Sequence, residues 1–130
     1  MPKSRTKIIP APSTKDRLSI RIDLGTGIRI GPGKVAVLEE IDRSGSISAA
    51  GRALAMSYRR TWLLIEEMNV GLGKPVVDTS AGGSGGGGAS LTKLGRAVIK
   101  QYRAIEAESA TAARKHLSAL NRIRAEMPAD

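Results

Sequence analysis

From Leu18 the chain alternates Leu-Ser-Ile-Arg-Ile-Asp-Leu, so Leu18, Ile20, Ile22 and Leu24 share one face while Ser19, Arg21 and Asp23 share the other. That two-residue period predicts a half-buried strand. Gly25-Thr26-Gly27 turns the chain, Ile28-Arg29-Ile30 returns as a second short strand, and Gly31-Pro32-Gly33 punctuates. The spacing then becomes helical. Over Lys34 to Ser44 the apolar positions are Val35, Leu38 and Ile41, with Val37 beside them, and Glu39, Glu40 and Asp42 point elsewhere until Gly45 stops the helix. Ser46 caps a short second helix whose stripe is Ile47, Ala50 and Leu54. Gly51 lies on that stripe, where a missing side chain lets another helix approach. After Ala55-Met56, Ser57 caps a third helix in which Tyr58, Trp62, Ile65 and Met68 face inward and Arg59, Arg60, Leu63, Leu64 and Glu67 face outward, ended by Asn69 and Gly71.

Two short strands follow, Lys74-Pro75-Val76-Val77-Asp78 and Ala89-Ser90-Leu91, separated by a glycine-rich run with no side chains to bury. They predict a hairpin with a glycine tip. Thr92 caps a long helix from Lys93, with Leu94, Val98 and Ile105 on one side and Tyr102 nearby. Ala110, Ala112 and Ala113 continue it, and Leu117, Leu120 and Ile123 form a further stripe before Pro128. The fold class is therefore mainly α with a small β component: a winged helix-turn-helix with N-terminal strands, a glycine-rich wing and a long C-terminal helix. Residues 1–16 read as a basic, disordered tail, 17–106 as the winged helix-turn-helix domain, and 107–130 as a helical extension suited to dimerisation.

Composition narrows the partner. Lys and Arg number 21 against 12 Asp and Glu, for a formal charge of +9. Residues 1–34 hold eight cations against Asp16 and Asp23, a net +6. Such a field attracts polyanions, and even a solvated basic tail can touch phosphates. Phe is absent and aromatics are 2% of the chain, so the core is aliphatic and small, which favours stabilisation as a homodimer. With no Cys there is no disulfide, thiolate metal site or cysteine nucleophile. The basic N-terminus has no signal-peptide core, and no apolar run approaches the roughly 18 residues of a membrane span, so a soluble cytoplasmic protein is expected.

The chemistry fits duplex DNA. The major groove admits a helix, arginine bonds bidentately to the guanine edge, and apolar side chains meet thymine methyls. Arg59 and Arg60, with Leu63 one turn on, offer those groups, although solvated arginines and a packed Leu63 would give the same pattern. Ser46 and Ser57 suit capping, and the hydroxyl of Ser57 also stands where a phosphate contact is made. Ser48 and Arg52 face outward and suit phosphate. Lys74 and the run from Gly82 to Gly88, including Ser84 and Gly85, would approach the backbone. That run also reads as a flexible linker or a nucleotide loop. It lacks the Gly-Lys-Ser/Thr ending of the latter, and a linker would leave Val76-Val77 unpaired, so the wing is favoured. One Trp and two Tyr are too few for a single-strand stacking platform; Trp62 suits the core, and Tyr58 can still send its hydroxyl to phosphate. His116, the lone histidine, has no catalytic or metal-ligating companions, and Glu39-Glu40 and Glu66-Glu67 read as solvated faces. No catalytic residue, cofactor or metal is expected, and the chain is read as not an enzyme.

Gly45-Ser46-Ile47-Ser48, Ser57-Tyr58 with Trp62, Glu67-Met68-Asn69, the glycine run to Ala89, and Leu91-Thr92 with Gly95 occur in order. Over about Leu18 to Ile105 the chain resembles the N-terminal DNA-binding domain of ModE-type, molybdate-responsive transcription regulators, themselves similar there to the LysR-type helix-turn-helix. The resemblance implies a winged helix that dimerises through its first and last helices. It also implies a palindromic operator, read by the helix after Ser57 with backbone contact by the wing. Family members carry C-terminal domains that bind molybdate between subunits, whereas this chain ends in a helix, so direct molybdate binding is not expected. Arg60, Leu63 and Leu64 depart from the family pattern, so its operator sequence is not carried over. The rival reading is a basic winged-helix module that binds RNA or acts as a protein adaptor without reading an operator.

Overall fold

The computed structural model describes residues 16–83 and 86–129. Ser19–Glu108 form one compact unit; the described residues outside it, 16–18 and 109–129, form a second. The expected basic tail, apart from Asp16, lies outside the described residues, as do Ser84 and Gly85.

In the first unit β1 (Ile22–Asp23) pairs antiparallel with β2 (Arg29–Ile30), Ile22 opposite Ile30 and Asp23 opposite Arg29. The strand is much shorter than the alternation from Leu18 to Leu24. Its partner ends at Gly31, where α1 begins, so only two pairs can form. The carbonyl of Ile20 instead accepts the Tyr102 hydroxyl at 2.6 Å, and Leu24 is exposed. Helix α1 (Pro32–Ser44) starts two residues before the expected Lys34, because proline suits a first helical turn, where its missing N–H is not needed. Val35, Val37, Leu38 and Ile41 are fully buried, and Gly45 closes the helix in the left-handed region at φ 72°, its N–H bonded to Ile41.

Helix α2 (Ile47–Ala53) is capped by Ser46, whose hydroxyl accepts the Ala49 N–H at 3.0 Å. The turn into α3 (Tyr58–Leu72) passes through Ala55 at φ 56°, a left-handed conformation that costs a non-glycine residue roughly 1 kcal/mol. It is closed by the Met56 N–H on the Gly51 carbonyl at 2.8 Å. A Cβ on Gly51 would lie 2.7 Å from Thr61 Oγ1, so α2 and α3 do meet at the glycine. That contact sets the rotation of α3. Thr61 faces inward with its hydroxyl satisfied by Ser57, and the buried stripe is Thr61, Leu64, Ile65 and Met68. Two expectations are thereby corrected: Leu64 is 6% exposed rather than outward, and Tyr58 is 57% exposed rather than inward. Trp62 is half-buried against the core. Nor does Gly71 end the helix; α3 runs on to Leu72, and Gly71 lets Ile28 pack where a Cβ would lie 2.5 Å from it.

Asn69 accepts the Val76 N–H at 2.8 Å, and β3 (Val77–Gly83) pairs antiparallel with β4 (Gly86–Leu91). Gly82, Gly83, Gly86, Gly87 and Gly88, expected in a tip between shorter strands, are part of the strands themselves, since a two-stranded ladder is held by backbone groups that glycine possesses in full. Strand β3 starts later than the expected Lys74, because Pro75 has no N–H to give and that of Val76 is committed to Asn69. Helix α4 (Lys93–Glu126) opens at Thr92, whose hydroxyl accepts the Gly95 N–H and donates to the Pro75 carbonyl at 2.8 Å. Tyr102 is buried, Leu94 and Val98 are half-buried, and Ile105 is exposed. Core side chains are aliphatic except for Tyr102 and Thr61, and among the described residues no buried side-chain polar atom lacks a partner.

In the second unit Asn121 donates to Asp16 at 2.5 Å, Leu117 is half-buried, and Leu120 and Ile123 are exposed.

Candidate nucleic-acid interface

Ser57 Oγ accepts the Arg60 N–H at 3.0 Å, starting α3 squarely. Given a buried stripe of Thr61, Leu64, Ile65 and Met68, a turn of about 100° per residue puts Arg59 and Leu63 opposite it, with Arg60 on one flank and Tyr58 and Trp62 on the other. Arg59 and Arg60 are exposed, as is Leu63 at 47%. Ser48 and Arg52, four residues apart on α2, share an exposed face, and Lys74 is exposed just before the wing.

The cations divide by employment. Arg21 and Arg29 reach Asp23, Lys34 reaches Glu67, Arg43 reaches Glu40, Arg96 reaches the Leu91 carbonyl, and Arg103 reaches Glu39 and Glu106. Thus Glu39 and Glu40, expected as solvated faces, are paired and half-buried, whereas Glu66 and Glu67 are exposed as expected, Glu67 with Lys34 beside it. The side chains of Arg52, Arg59, Arg60 and Lys74 form no hydrogen bond or ion pair among the described residues. An unengaged guanidinium in water is free to meet a phosphate or a base edge. The outer face of α3 is also graded, arginines in its first turn and Glu66 and Glu67 about two turns on. A polyanion is therefore favoured only along the N-terminal part of the helix.

The wing is tied to the helix-turn-helix by the Ala89 N–H on the Gly45 carbonyl at 2.9 Å. Between them lies a cleft of about 180 Å³ lined by Ser46, Ser48, Tyr58, Trp62, Thr79 and Ser80, among others. Tyr58 meets Trp62 edge-on with ring centres 6.4 Å apart. The hydroxyls of Ser48, Tyr58, Thr79 and Ser80 are uncommitted among the described residues, whereas Ser46, Ser57 and Thr61 are occupied within the fold. Thr79 and Ser80 escaped the sequence reading because nothing in their spacing marks the strand face that meets α2. Ser84 and Gly85 lie outside the described residues.

Among the described residues Tyr102 and Arg103 are the two groups with displaced titration: burial pushes the Tyr102 phenol up, and hydrogen bonds to Glu39 and then Glu106 hold the Arg103 guanidinium above its usual range. Neither faces the cleft. His116 is exposed in the second unit, and no three of His, Asp or Glu stand together to hold a metal among the described residues. No described helix is long and apolar enough to cross a membrane.

No family model matches the chain. Curated relatives do. The molybdenum-pterin-binding protein MopB of Rhodobacter capsulatus is 49% identical over 82 residues, 63% of this chain and 30% of that protein. The molybdenum transport protein ModE of Azotobacter vinelandii is 36% identical over 107 residues, 82% of this chain and 39% of its own length. The DNA-binding transcriptional dual regulator ModE of Escherichia coli K12 is 39% identical over 71 residues, 55% of this chain and 27% of that protein. The chain thus spans between about a quarter and two fifths of these relatives. Among solved structures, a CbnR_DBD-DNA complex superposes with a TM-score of 0.52 at 19% identity, covering 67% of this chain and 95% of the other. The LysR family transcriptional regulator VV2_1132 gives 0.51 at 15% identity, covering 67% of this chain and 28% of its own. These similarities and the arrangement of α2, α3, wing and α4 agree: what this chain carries is the N-terminal, LysR-like winged helix-turn-helix domain of the ModE type.

Proposed function

We propose that the chain is a sequence-specific, double-stranded-DNA-binding transcription regulator that acts as a homodimer on a palindromic operator. The observation that carries this reading is the first turn of α3, which holds Arg59 and Arg60 in solvent with no partner among the described residues, beside the exposed Leu63. Arg59, Arg60 and Leu63 read bases; Ser48, Arg52, Ser57, Tyr58, Lys74 and the wing, with Ser84 and Gly85, hold the backbone. Residues 17–106 form the DNA-binding domain and 107–130 the extension. Support for the dimer comes from an apolar groove of about 240 Å³ that includes Leu24, Leu72, Leu94, Val98 and Ile105, and from the exposed Leu120 and Ile123 of the second unit. The names of the relatives and the DNA in one neighbour's complex point the same way.

Selection of bound sequences from random duplexes, with a mass measurement of the complex, tests the proposal. The expected result is an inverted repeat with half-site centres about 34–36 Å apart, bound by two chains. Preference for structured RNA, or DNA binding without a protected palindrome, would overturn it.

Backbone contacts have their own signature. Arg52→Ala and Lys74→Ala are expected to weaken operator and random duplex by the same factor. Each is also expected to flatten the plot of log affinity against log salt by about 0.9 for every phosphate the side chain neutralises, because each neutralised phosphate releases condensed counterions. Ser48→Ala is expected to lower affinity without changing that slope, since a neutral hydroxyl displaces no ion. Titrations at several salt concentrations separate the two.

A further inference from the structure

Within the first unit, besides the packing of Leu94, Val98 and Ile99 on the core, hydrogen bonds and close backbone contact hold helix α4 at two points. At its start Thr92 bonds to the Pro75 carbonyl at 2.8 Å, Arg96 to the Leu91 carbonyl at 2.9 Å, and Gly95 lies flat against Val76. The second point is about 12 Å further along the axis, at Tyr102 and Arg103. Tyr102 is buried with its hydroxyl on Ile20, and the Arg103 guanidinium lies 5.6 Å from the Tyr102 ring centre. Arg103 grips both oxygens of Glu39 on α1, Nε to Oε2 at 2.9 Å and Nη2 to Oε1 at 2.5 Å, while Nη1 goes to Glu106 at 2.6 Å. Among the described residues this is the one side-chain hydrogen-bonded link between α4 and α1.

By strength it is an ordinary surface pair, with side chains 43% and 36% exposed, and such pairs add little to stability. A bidentate planar fork adds direction instead: it fixes the rotation and approach of the two helices in a way a single point charge does not. Direction matters here because Leu38 and Ile41 of α1 belong to the core beneath α3, and α1 leads through Gly45 into α2. Because α1 and α3 share that core, whatever fixes α4 against α1 also fixes α4 against the helix that carries Arg59 and Arg60. The uncovered apolar groove includes Leu94, Val98 and Ile105 of the same stretch of α4.

We propose that Arg103 is a positioning residue for operator reading, clamping α4 to α1 through Glu39 and so fixing the half-site separation that the two recognition helices accept. This rests on the dimeric reading above and assigns the residue that sets its geometry.

The test uses the full chain and duplexes in which the two selected half-sites are moved apart or together one base pair at a time. Each step turns one half-site by roughly 35° and shifts it by about 3.4 Å. The unmutated protein is expected to lose about tenfold or more in affinity one step from its optimum, as a mismatched rigid pair should. Arg103→Gln is expected to lose less than about threefold at that step while binding a single half-site as before, which also serves as its folding control. Glu39→Ala, which breaks the link from the other side, is expected to match it. Arg103→Lys keeps the charge without the fork and is expected to fall between. An optimum as sharp in Arg103→Gln as in the unmutated protein overturns the clamp and leaves the dimeric reading standing. Single-half-site affinity falling in step with Arg103→Gln also overturns the clamp, since that marks a role in folding. No spacing preference in the unmutated protein overturns both.

Discussion

Replacing Gly95 with valine is expected to destabilise the fold by about 3 kcal/mol and to lower the thermal midpoint by more than about 10 °C. Helix propensity alone argues the opposite, because glycine inside a helix is worse than most residues by up to about 1 kcal/mol. Packing decides the sign. A Cβ at this position would lie 2.3 Å from the Val76 carbonyl oxygen and 3.2 Å from its carbon. That carbonyl cannot retreat freely: it accepts the Thr92 N–H at 3.0 Å, and the Val76 N–H is held by Asn69 at 2.8 Å. Relief requires moving α4 away from the start of the wing, which exposes Val76 and strains the Thr92 cap. Gly33 supplies the control, since nothing lies within 4 Å of a Cβ there, and Gly33→Ala is expected to be neutral or to stabilise by up to about 0.5 kcal/mol. Melting is followed by circular dichroism at one fixed protein concentration, because association makes the midpoint concentration-dependent. A midpoint for Gly95→Val within a few degrees of the unmutated protein would mean that α4 does not rest on Val76.

The same glycine shows what the sequence could and could not disclose. The helices announced themselves through apolar spacing and caps: Val35, Leu38 and Ile41 are buried as their period requires, and Ser46, Ser57 and Thr92 each accept the N–H they were expected to accept. Gly51 was legible as a close approach because it interrupts a stripe. Gly71 was misread for a related reason, since a stop and a contact leave the same letter, and only the position of Ile28 tells them apart. The phase of α3 was wrong by part of a turn. Thr61 is polar, and hydropathy gives no hint that Ser57 satisfies its hydroxyl and lets it sit in the core. Once Thr61 faces in, Leu64 follows and Tyr58 swings out to the cleft. The wing strands were under-drawn because glycine has no side-chain pattern to read. Pairings across long sequence distances, such as Arg103 with Glu39, leave no trace in local spacing at all.

Arg59→Ala and Arg60→Ala are each expected to cost roughly 1 to 3 kcal/mol of operator affinity, about 5- to 150-fold, while affinity for random duplex falls by much less. The corrected phase of α3 sharpens this. Arg59 stands with Leu63 opposite the buried stripe, so it is the more central of the two, and its loss is expected to equal or exceed that of Arg60. Both have a cost that a phosphate contact does not share. A guanidinium removed from a base edge leaves buried acceptors unpaired in the groove, whereas one removed from a phosphate is replaced by a counterion. The carboxylates further along constrain the pose: Lys34 offsets Glu67 at 3.1 Å, but Glu66 has no such partner among the described residues, so deeper insertion of α3 would bring it against phosphate. Hence Glu66→Gln is expected to raise affinity for operator and random duplex alike, the opposite pattern to the arginines. Competition binding against the selected operator and a scrambled duplex at one salt concentration measures all three. Equal losses on the two duplexes for both arginine variants would assign those side chains to the backbone and leave base reading without its residues.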